Sequence, residues 1–242
     1  MKTILHKKRI LIPLCIVILL CVFCIWYVGD YYHSDASVEA FLQGSDTVTI
    51  TEIGDGLFLD GTGTDAALIF YPGAKVEYTA YVPLFVELAE QGVDCFLIEM
   101  PCNLAIMGMN KADKVIGEYD YNQWYLAGHS LGGAMAASYA LTNLDELDAL
   151  ILLAAYPTKS LEHEDFTVVS LYGSEDGVIN RRKYEDNLSN MPSEFSEIVI
   201  EGGCHAYFGM YGEQDGDGTA IISREEQQAQ TVEAILELAN ED

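Results

Sequence analysis

The chain has 242 residues, of which 50% are hydrophobic, and it carries 38 acidic against 12 basic side chains. This much apolar sequence is enough for a large core and excludes an intrinsically disordered protein. The formal net charge of −26 at pH 7 repels phosphate backbones and excludes a nucleic-acid-binding protein.

Near its start the chain has an uncharged run from Ile10 to Val28, preceded by four basic residues and followed by acidic ones. A helix of this length reaches roughly 28 Å, enough to cross the hydrocarbon core of a membrane. A cleaved signal peptide is the alternative, but its apolar core is normally shorter and ends at small residues, whereas this run ends in Ile25-Trp26-Tyr27-Val28. We predict a cytoplasmic tail over residues 1–9 and a single-pass signal anchor over residues 10–28, with the rest of the chain outside the cell.

Polar residues 29–45 predict a stalk, and the length of the remainder predicts one domain over residues 46–242. Beyond the anchor the chain has 8 basic and 38 acidic residues, a net charge of −30, which mildly discriminates against anionic substrates. Only Cys95, Cys102 and Cys204 lie beyond the anchor, and their odd number and spacing predict neither a disulfide framework nor a zinc site.

Apolar runs then alternate with amphipathic ones along the chain. Strands are predicted at Thr47–Thr51, Ala66–Tyr71, Val93–Glu99, Gln123–Ala127, Ala149–Ala155, Thr167–Tyr172 and Glu197–Ile200. Helices are predicted at Val82–Glu90, Asn110–Glu118, Leu131–Leu141 and Arg224–Asn240. Several strands are continuously apolar, which indicates that both faces are covered. The alternation predicts an α/β fold, a mostly parallel central sheet flanked by helices.

The most informative motif is Gly128-His129-Ser130-Leu131-Gly132, which has the form G-x-S-x-G. It stands between a predicted strand and a predicted helix, the context in which a serine is presented on a tight turn. Small residues at the two glycine positions leave room for that turn, and the following helix directs its N-terminus at an oxygen that develops negative charge. Ser130 is therefore a candidate nucleophile.

An acid and a histidine follow two later predicted strands. Asp176 stands in the turn after the strand at Thr167–Tyr172, and His205 follows the strand that ends at Ile200. Because ligands bind beyond the carboxyl ends of parallel strands, these residues should meet Ser130 at one edge of the sheet. Glu175 is a rival acid, since Asp176 could instead be a turn residue. The spacing predicts a triad of Ser130, His205 and Asp176.

These motifs resemble those of the α/β-hydrolase superfamily, and more closely the compact single-domain serine hydrolases related to dienelactone hydrolase. The resemblance covers residues 47–240 and has four parts: Tyr71-Pro72-Gly73-Ala74-Lys75, the serine motif with Gly133, Gly173-Ser174-Glu175-Asp176-Gly177 and Gly203-Cys204-His205-Ala206-Tyr207-Phe208-Gly209. The chain departs from dienelactone hydrolase itself, which uses a cysteine nucleophile. It also has Tyr-Pro-Gly-Ala where many lipases have His-Gly-Gly-Gly.

This chemistry implies an oxyanion hole made by the backbone N–H groups of Leu131 and, after the strand at Ala66–Tyr71, of Ala74. Only residues 156–165 separate two successive strands where relatives with a lid insert a cap, so we predict an uncapped site roofed by two loops. Met107 and Met109 in one loop, and Tyr207 in the other, are the candidate substrate-binding residues.

Together these features predict a membrane-anchored serine hydrolase that cleaves carboxylic esters through an acyl-enzyme, with no metal or cofactor. Short, uncharged esters are the expected small-molecule substrates. Two alternatives stay open: an acyltransferase that uses the same triad, and a non-catalytic extracellular binding module.

Asp215-Gly216-Asp217-Gly218 predicts a flexible turn, because it lacks the remaining ligands of a calcium loop.

Overall fold

The computed structural model describes residues 2–161, 166–193 and 195–241. Eight strands are present in these residues: β1 (Thr49–Ile53), β2 (Gly56–Asp60), β3 (Ala66–Tyr71), β4 (Val93–Ile98), β5 (Gln123–His129), β6 (Ala149–Leu153), β7 (Thr167–Gly173) and β8 (Phe195–Ile200). The α-helices of these residues are α1 (Lys2–Gly29), α2 (Val38–Phe41), α3 (Val82–Glu90), α4 (Ala112–Glu118), α5 (Leu131–Ala140), α6 (Arg181–Asp186) and α7 (Arg224–Glu241).

The strands form one sheet in the order β1-β2-β4-β3-β5-β6-β7-β8. β1 pairs with β2, and β2 with β4, in antiparallel fashion, whereas every pair from β4 to β8 is parallel. The predicted mostly parallel α/β sheet is therefore confirmed. The carboxyl ends of β5, β7 and β8 lie at the same edge, which brings the segments after them together.

The continuous apolar strands are buried because the sheet has a hydrophobic core on each face. In β3, Leu68 and Phe70 belong to one core cluster, and Ala67 and Ile69 to the other. Side chains of α3 and α7 cover the first face, and those of α4 and α5 cover the second. Since successive strand residues point to opposite faces, both sets must be apolar.

Three described elements are absent from the predicted ones: β2, α6 and the four-residue helix α2, which lies inside the predicted stalk. β2 follows β1 through a short turn and forms an antiparallel hairpin with it, while α6 is a helix of six residues between β7 and β8. The predicted strand at Ala149–Ala155 is shorter in the structure and ends at Leu153. Ala154 there has a φ of 50°, in the left-handed region that an extended strand does not use.

The N-terminal segment forms a separate compact unit that ends at Tyr31, and α1 contains the predicted anchor over residues 10–28. Among the helices of the described residues, none combines the length and the apolar composition that crossing a membrane requires, so this prediction gains no support. The second compact unit begins at Tyr32, inside the predicted stalk of residues 29–45. The side chain of Val38, within that predicted stalk, is buried in the first core cluster.

Candidate active site

Ser130 lies at the junction of β5 and α5 with φ 54° and ψ −119°, a strained backbone conformation for a residue other than glycine. Its N–H donates to the carbonyl of Leu153 at the end of the neighbouring strand β6, at 2.9 Å. A Cβ atom on Gly128 would lie 2.5 Å from the carbonyl carbon of Gly132, and one on Gly132 would lie 2.2 Å from the oxygen of Tyr71. The predicted tight turn is therefore present, and both glycines are required by close backbone contacts.

Asp176 and His205 meet at the same edge of the sheet, after β7 and β8 respectively. The Nδ1 atom of His205 lies 2.8 Å from Oδ2 of Asp176, and both side chains are buried. The second oxygen, Oδ1, accepts the backbone N–H groups of Val178 and Ile179, each at 2.8 Å. Because a carboxylate only accepts hydrogen bonds, Nδ1 of His205 is the donor in its bond to Asp176.

The rival acid is oriented differently. The carboxylate of Glu175 accepts the hydroxyl of Ser174 at 3.2 Å, and its backbone N–H donates to the carbonyl of Gly203. Its side chain makes no described hydrogen bond to an imidazole. The geometry thus favours Asp176 over Glu175 as the partner of His205.

Ser130 and His205 line one cavity of about 310 Å³ at the carboxyl edge of the sheet. The Nε2 atom of His205 is buried and has no hydrogen-bond partner among the described residues, so its lone pair is free to accept a proton. The other lining residues are Leu131, Ala134, Ala154, Ala155, Tyr156, Thr158, Val178, Ile179, Asn180 and Lys183. This wall is mainly apolar with a few polar groups, the usual character of a small-molecule site.

A second histidine lies beside the first. The ring of His129 is 4.5 Å from that of His205 between centroids, and its Nδ1 is 2.8 Å from the hydroxyl of Tyr81. That hydroxyl also accepts the N–H of Gly73, at 3.2 Å. Burial first, and then the neighbouring His205, holds the pKa of His129 well below its usual value. His129 is therefore a neutral, structural imidazole at neutral pH.

The two predicted oxyanion donors occupy different surroundings. Leu131 is the first residue of α5 and lines the cavity, so its N–H is one of the free donors of a helix N-terminus. Ala74 is half-buried and is not among the residues that line the cavity. The adjacent N–H of Gly73 donates to the hydroxyl of Tyr81 at 3.2 Å. The role of the Ala74 N–H as the second oxyanion donor stays a prediction.

The predicted substrate-binding residues lie away from the cavity of Ser130. Met107, which is 59% exposed, and Met109 line a separate depression on the surface. Tyr207 follows His205 directly, but its ring lies under the guanidinium of Arg224 at 4.8 Å and borders another depression. None of these three residues lines the cavity of Ser130.

In their place, one wall of the cavity comes from residues at the start of α6, which sequence reasoning missed. The signal for this helix was Asn180, whose side chain caps it by accepting the N–H of Lys183 at 3.0 Å. The connection after β6 contributes Ala154, Ala155, Tyr156 and Thr158, and residues 162–165 of the same connection lie outside the described residues. The predicted absence of a cap therefore stays a prediction.

The model of the family described as "Alpha/beta hydrolase family" matches residues 67–229, a range that includes the serine motif, Asp176 and His205. The chain therefore belongs to the alpha/beta hydrolase family. It is also 29% identical over 122 residues to a protein of Mycobacterium phage D29 that carries the name non-heme haloperoxidase. That alignment covers 46% of this chain and 43% of the phage protein, so the match spans less than half of each.

Solved structures show the same fold at low sequence identity. Alpha/beta hydrolase domain-containing protein 10 from mouse superposes with a TM-score of 0.59 at 11% identity, covering 81% of this chain and 99% of that one. A thioesterase domain from the curacin biosynthetic pathway superposes with a TM-score of 0.56 at 12% identity, covering 78% of this chain and 98% of that one. The closer resemblance to dienelactone hydrolase stays a prediction.

Proposed function

We propose that this member of the alpha/beta hydrolase family is a serine hydrolase that cleaves carboxylic esters through an acyl-enzyme. The observation that carries the proposal is the buried pair of His205 and Asp176, joined at 2.8 Å, together with the position of both His205 and Ser130 in the lining of one cavity. A base oriented by a carboxylate and placed beside a strained serine is the arrangement that nucleophilic acyl transfer requires.

In this mechanism His205 takes the proton of the Ser130 hydroxyl as its oxygen attacks the carbonyl carbon of the ester. Asp176 keeps the imidazole in the required tautomer and stabilises the imidazolium that forms. The N–H of Leu131 stabilises the oxyanion, with Ala74 as the second proposed donor. His205 then protonates the leaving alcohol, and later takes a proton from the water that hydrolyses the acyl-enzyme.

The cavity supports substrates with a small acyl group. Its volume of about 310 Å³ is at the lower end of the range for small-molecule sites, and Ala134, Ala154 and Ala155 line it with short apolar side chains. Short esters are therefore the first substrates to test. Thioesters belong in the same panel, because a thioester carbonyl is open to the same attack and a thioesterase domain has the same fold.

The experiment is labelling with a fluorophosphonate, which reacts covalently with an activated serine, combined with turnover of esters of increasing acyl length. Labelling should be stoichiometric, and Ser130→Ala should abolish both labelling and turnover. Ser138→Ala is the matched control, because Ser138 lies on α5 and its hydroxyl only donates to the carbonyl of Ala134. This variant should label as the native protein does.

Two outcomes would redirect the proposal. If Ser130 labels but the acyl group passes to an added alcohol faster than to water, acyl transfer is the better description of the same chemistry. If the native protein neither labels nor cleaves any ester in the panel, the non-catalytic binding module becomes the better account.

Attachment to the cell membrane with the catalytic domain outside is a separate proposal, supported by the charges that flank residues 10–28. Protease added to intact cells should then remove the domain, while a cytoplasmic control protein stays intact. A domain that resists the protease until the cells are lysed would contradict this location.

A further inference from the structure

Asp217 stands in the segment between β8 and α7 that the sequence predicts as a flexible turn, but its carboxylate is engaged by four backbone N–H groups. Oδ1 accepts the N–H of Gly177 at 3.1 Å, of His205 at 3.1 Å and of Gly218 at 2.8 Å. Oδ2 accepts the N–H of Ala206 at 2.8 Å. A carboxylate with this many donors is a fixed structural element and not a mobile turn residue.

The donors come from three different segments. Gly177 directly follows Asp176 after β7, His205 and Ala206 follow β8, and Gly218 is the neighbour of Asp217 itself. One carboxylate therefore joins the backbone next to Asp176 to the backbone of His205. These hydrogen bonds are made by backbone N–H groups, in addition to the side-chain contact between Asp176 and His205.

Steric contacts show that the bridging segment is fitted closely against the Asp176 turn. A Cβ atom on Gly218 would lie 1.8 Å from the carbonyl oxygen of Glu175, and one on Gly177 would lie 2.5 Å from the oxygen of Gly216. The two backbones approach so closely that only glycine fits at both positions. Asp217 is thus held at one distance from the turn that carries Asp176.

The charge of Asp217 is compatible with this role. Burial alone would raise the pKa of the Asp217 carboxyl group. The hydrogen bonds from the N–H groups of Ala206, Gly177 and His205 and from the thiol of Cys204 lower this pKa by more, so the net shift is downward. Asp217 is therefore ionised at neutral pH, and charge-assisted hydrogen bonds are stronger than neutral ones.

We propose that Asp217 is a positioning residue, which holds the two loops in register so that the imidazole of His205 stays aligned between Asp176 and Ser130. The proposal rests on the proposed function, because alignment matters only if His205 acts as the base. Gln227 is an example of a residue whose hydrogen bonds have only a structural role in this region. Its side-chain amide bonds both the N–H and the carbonyl of Cys204, at 2.9 Å each, and so ties only one of the two loops to α7.

The test compares Asp217→Ala and Asp217→Asn with the native protein, using kcat per active site titrated with the fluorophosphonate. A misplacement of about 1 Å can lower a rate by about a hundredfold, so Asp217→Ala should lower kcat by about that factor with little change in KM. Asp217→Asn should lose less, because its amide oxygen still accepts the three N–H groups now bonded to Oδ1. Asp215→Asn, an exposed neighbour in the same segment, should leave kcat unchanged.

An unchanged kcat per titrated site in both Asp217 variants would overturn the proposal, whatever happens to their stability.

Hydrogen exchange in the native protein gives a second measurement that needs no variant. The amide protons of Gly177, His205 and Ala206 should be protected to a similar degree, because they share one acceptor group. A Gly177 amide that exchanges as fast as an exposed loop amide would show that the bridge is absent. If the native protein has no esterase activity, the proposed function fails while this exchange result still decides whether the bridge exists.

Discussion

The serine turn and the acid–base loops reach the same cavity by different physical means. Ser130 is held by steric contacts at one short turn, where its φ is strained and the two glycines of the motif pack against each other and against the backbone of Tyr71. His205 and Asp176 are held by hydrogen bonds to groups distant in sequence, among them the carboxylate of Asp217. Steric constraints of the first kind are visible as a local motif, whereas bonds of the second kind are not.

This difference has a consequence for variants. Changes at the serine turn should act mainly on folding, because an added atom has to displace backbone. Changes at the loops should act mainly on rate, because the loops can shift slightly without unfolding the domain. Three predictions test this contrast, in order of expected effect.

The largest effect is expected at the acid–base pair. Asp176→Asn replaces the acceptor of the Nδ1 proton and favours the wrong tautomer of His205, so kcat for a short ester should fall by about 10⁴-fold. Glu175→Gln is the matched control and should leave kcat within about threefold, since the only described hydrogen bond of the Glu175 side chain is to the neighbouring Ser174. Steady-state kinetics on both variants, with circular dichroism to verify folding, makes the comparison. A large loss at Glu175 with a small one at Asp176 would reverse the assignment.

At the serine turn, the expected effect is on stability. In Gly132→Ala the new Cβ would lie 2.2 Å from the oxygen of Tyr71 and 2.4 Å from that of Pro72, so backbone must move. The free energy of unfolding should fall by about 3 kcal/mol or more, as in other overpacked interiors. Gly117→Ala is the control, because no atom lies within 4 Å of a Cβ there and the residue is in α4. Urea unfolding should show that control unchanged or more stable by up to about 1 kcal/mol.

The smallest effect concerns the buried imidazole of His129. Its folded-state pKa lies below the unfolded value near 6.5, so just below that pH the unfolded chain binds a proton that the folded chain does not. Stability must therefore fall as the pH falls through that window, by up to about 1.4 kcal/mol per pH unit for this residue.

Urea unfolding between pH 7.5 and pH 5.5 measures this dependence. In His129→Gln the slope of the unfolding free energy against pH should decrease by the contribution of one proton. In His33→Gln, which removes an exposed histidine, most of that slope should remain. An unaltered slope in His129→Gln would mean that this ring is not neutral and buried in the folded state.

Much of the fold could be predicted because parallel strands and flanking helices impose local patterns. β3 and α3 have the predicted limits, and the six other predicted strands lie within two residues of theirs. Among the missed elements, β2 and α6 are short and lie next to turns, so their hydrophobic pattern is too brief to separate from loops. Their stability comes from pairing with β4 and from the cap at Asn180.

For the candidate site, the sequence alone determined the serine turn and the order in which Ser130, Asp176 and His205 follow strands of one parallel sheet. Both features depend on local sterics and on the rule that such strands end at one edge. The tertiary structure decided the rest: which acid faces His205, that His129 pairs with Tyr81, that α6 forms a cavity wall, and that Asp217 joins the two loops. The contacts of Asp176 with His205 and of Tyr81 with His129 join residues 29 and 48 positions apart, and no local pattern encodes the distance between segments that only folding brings together.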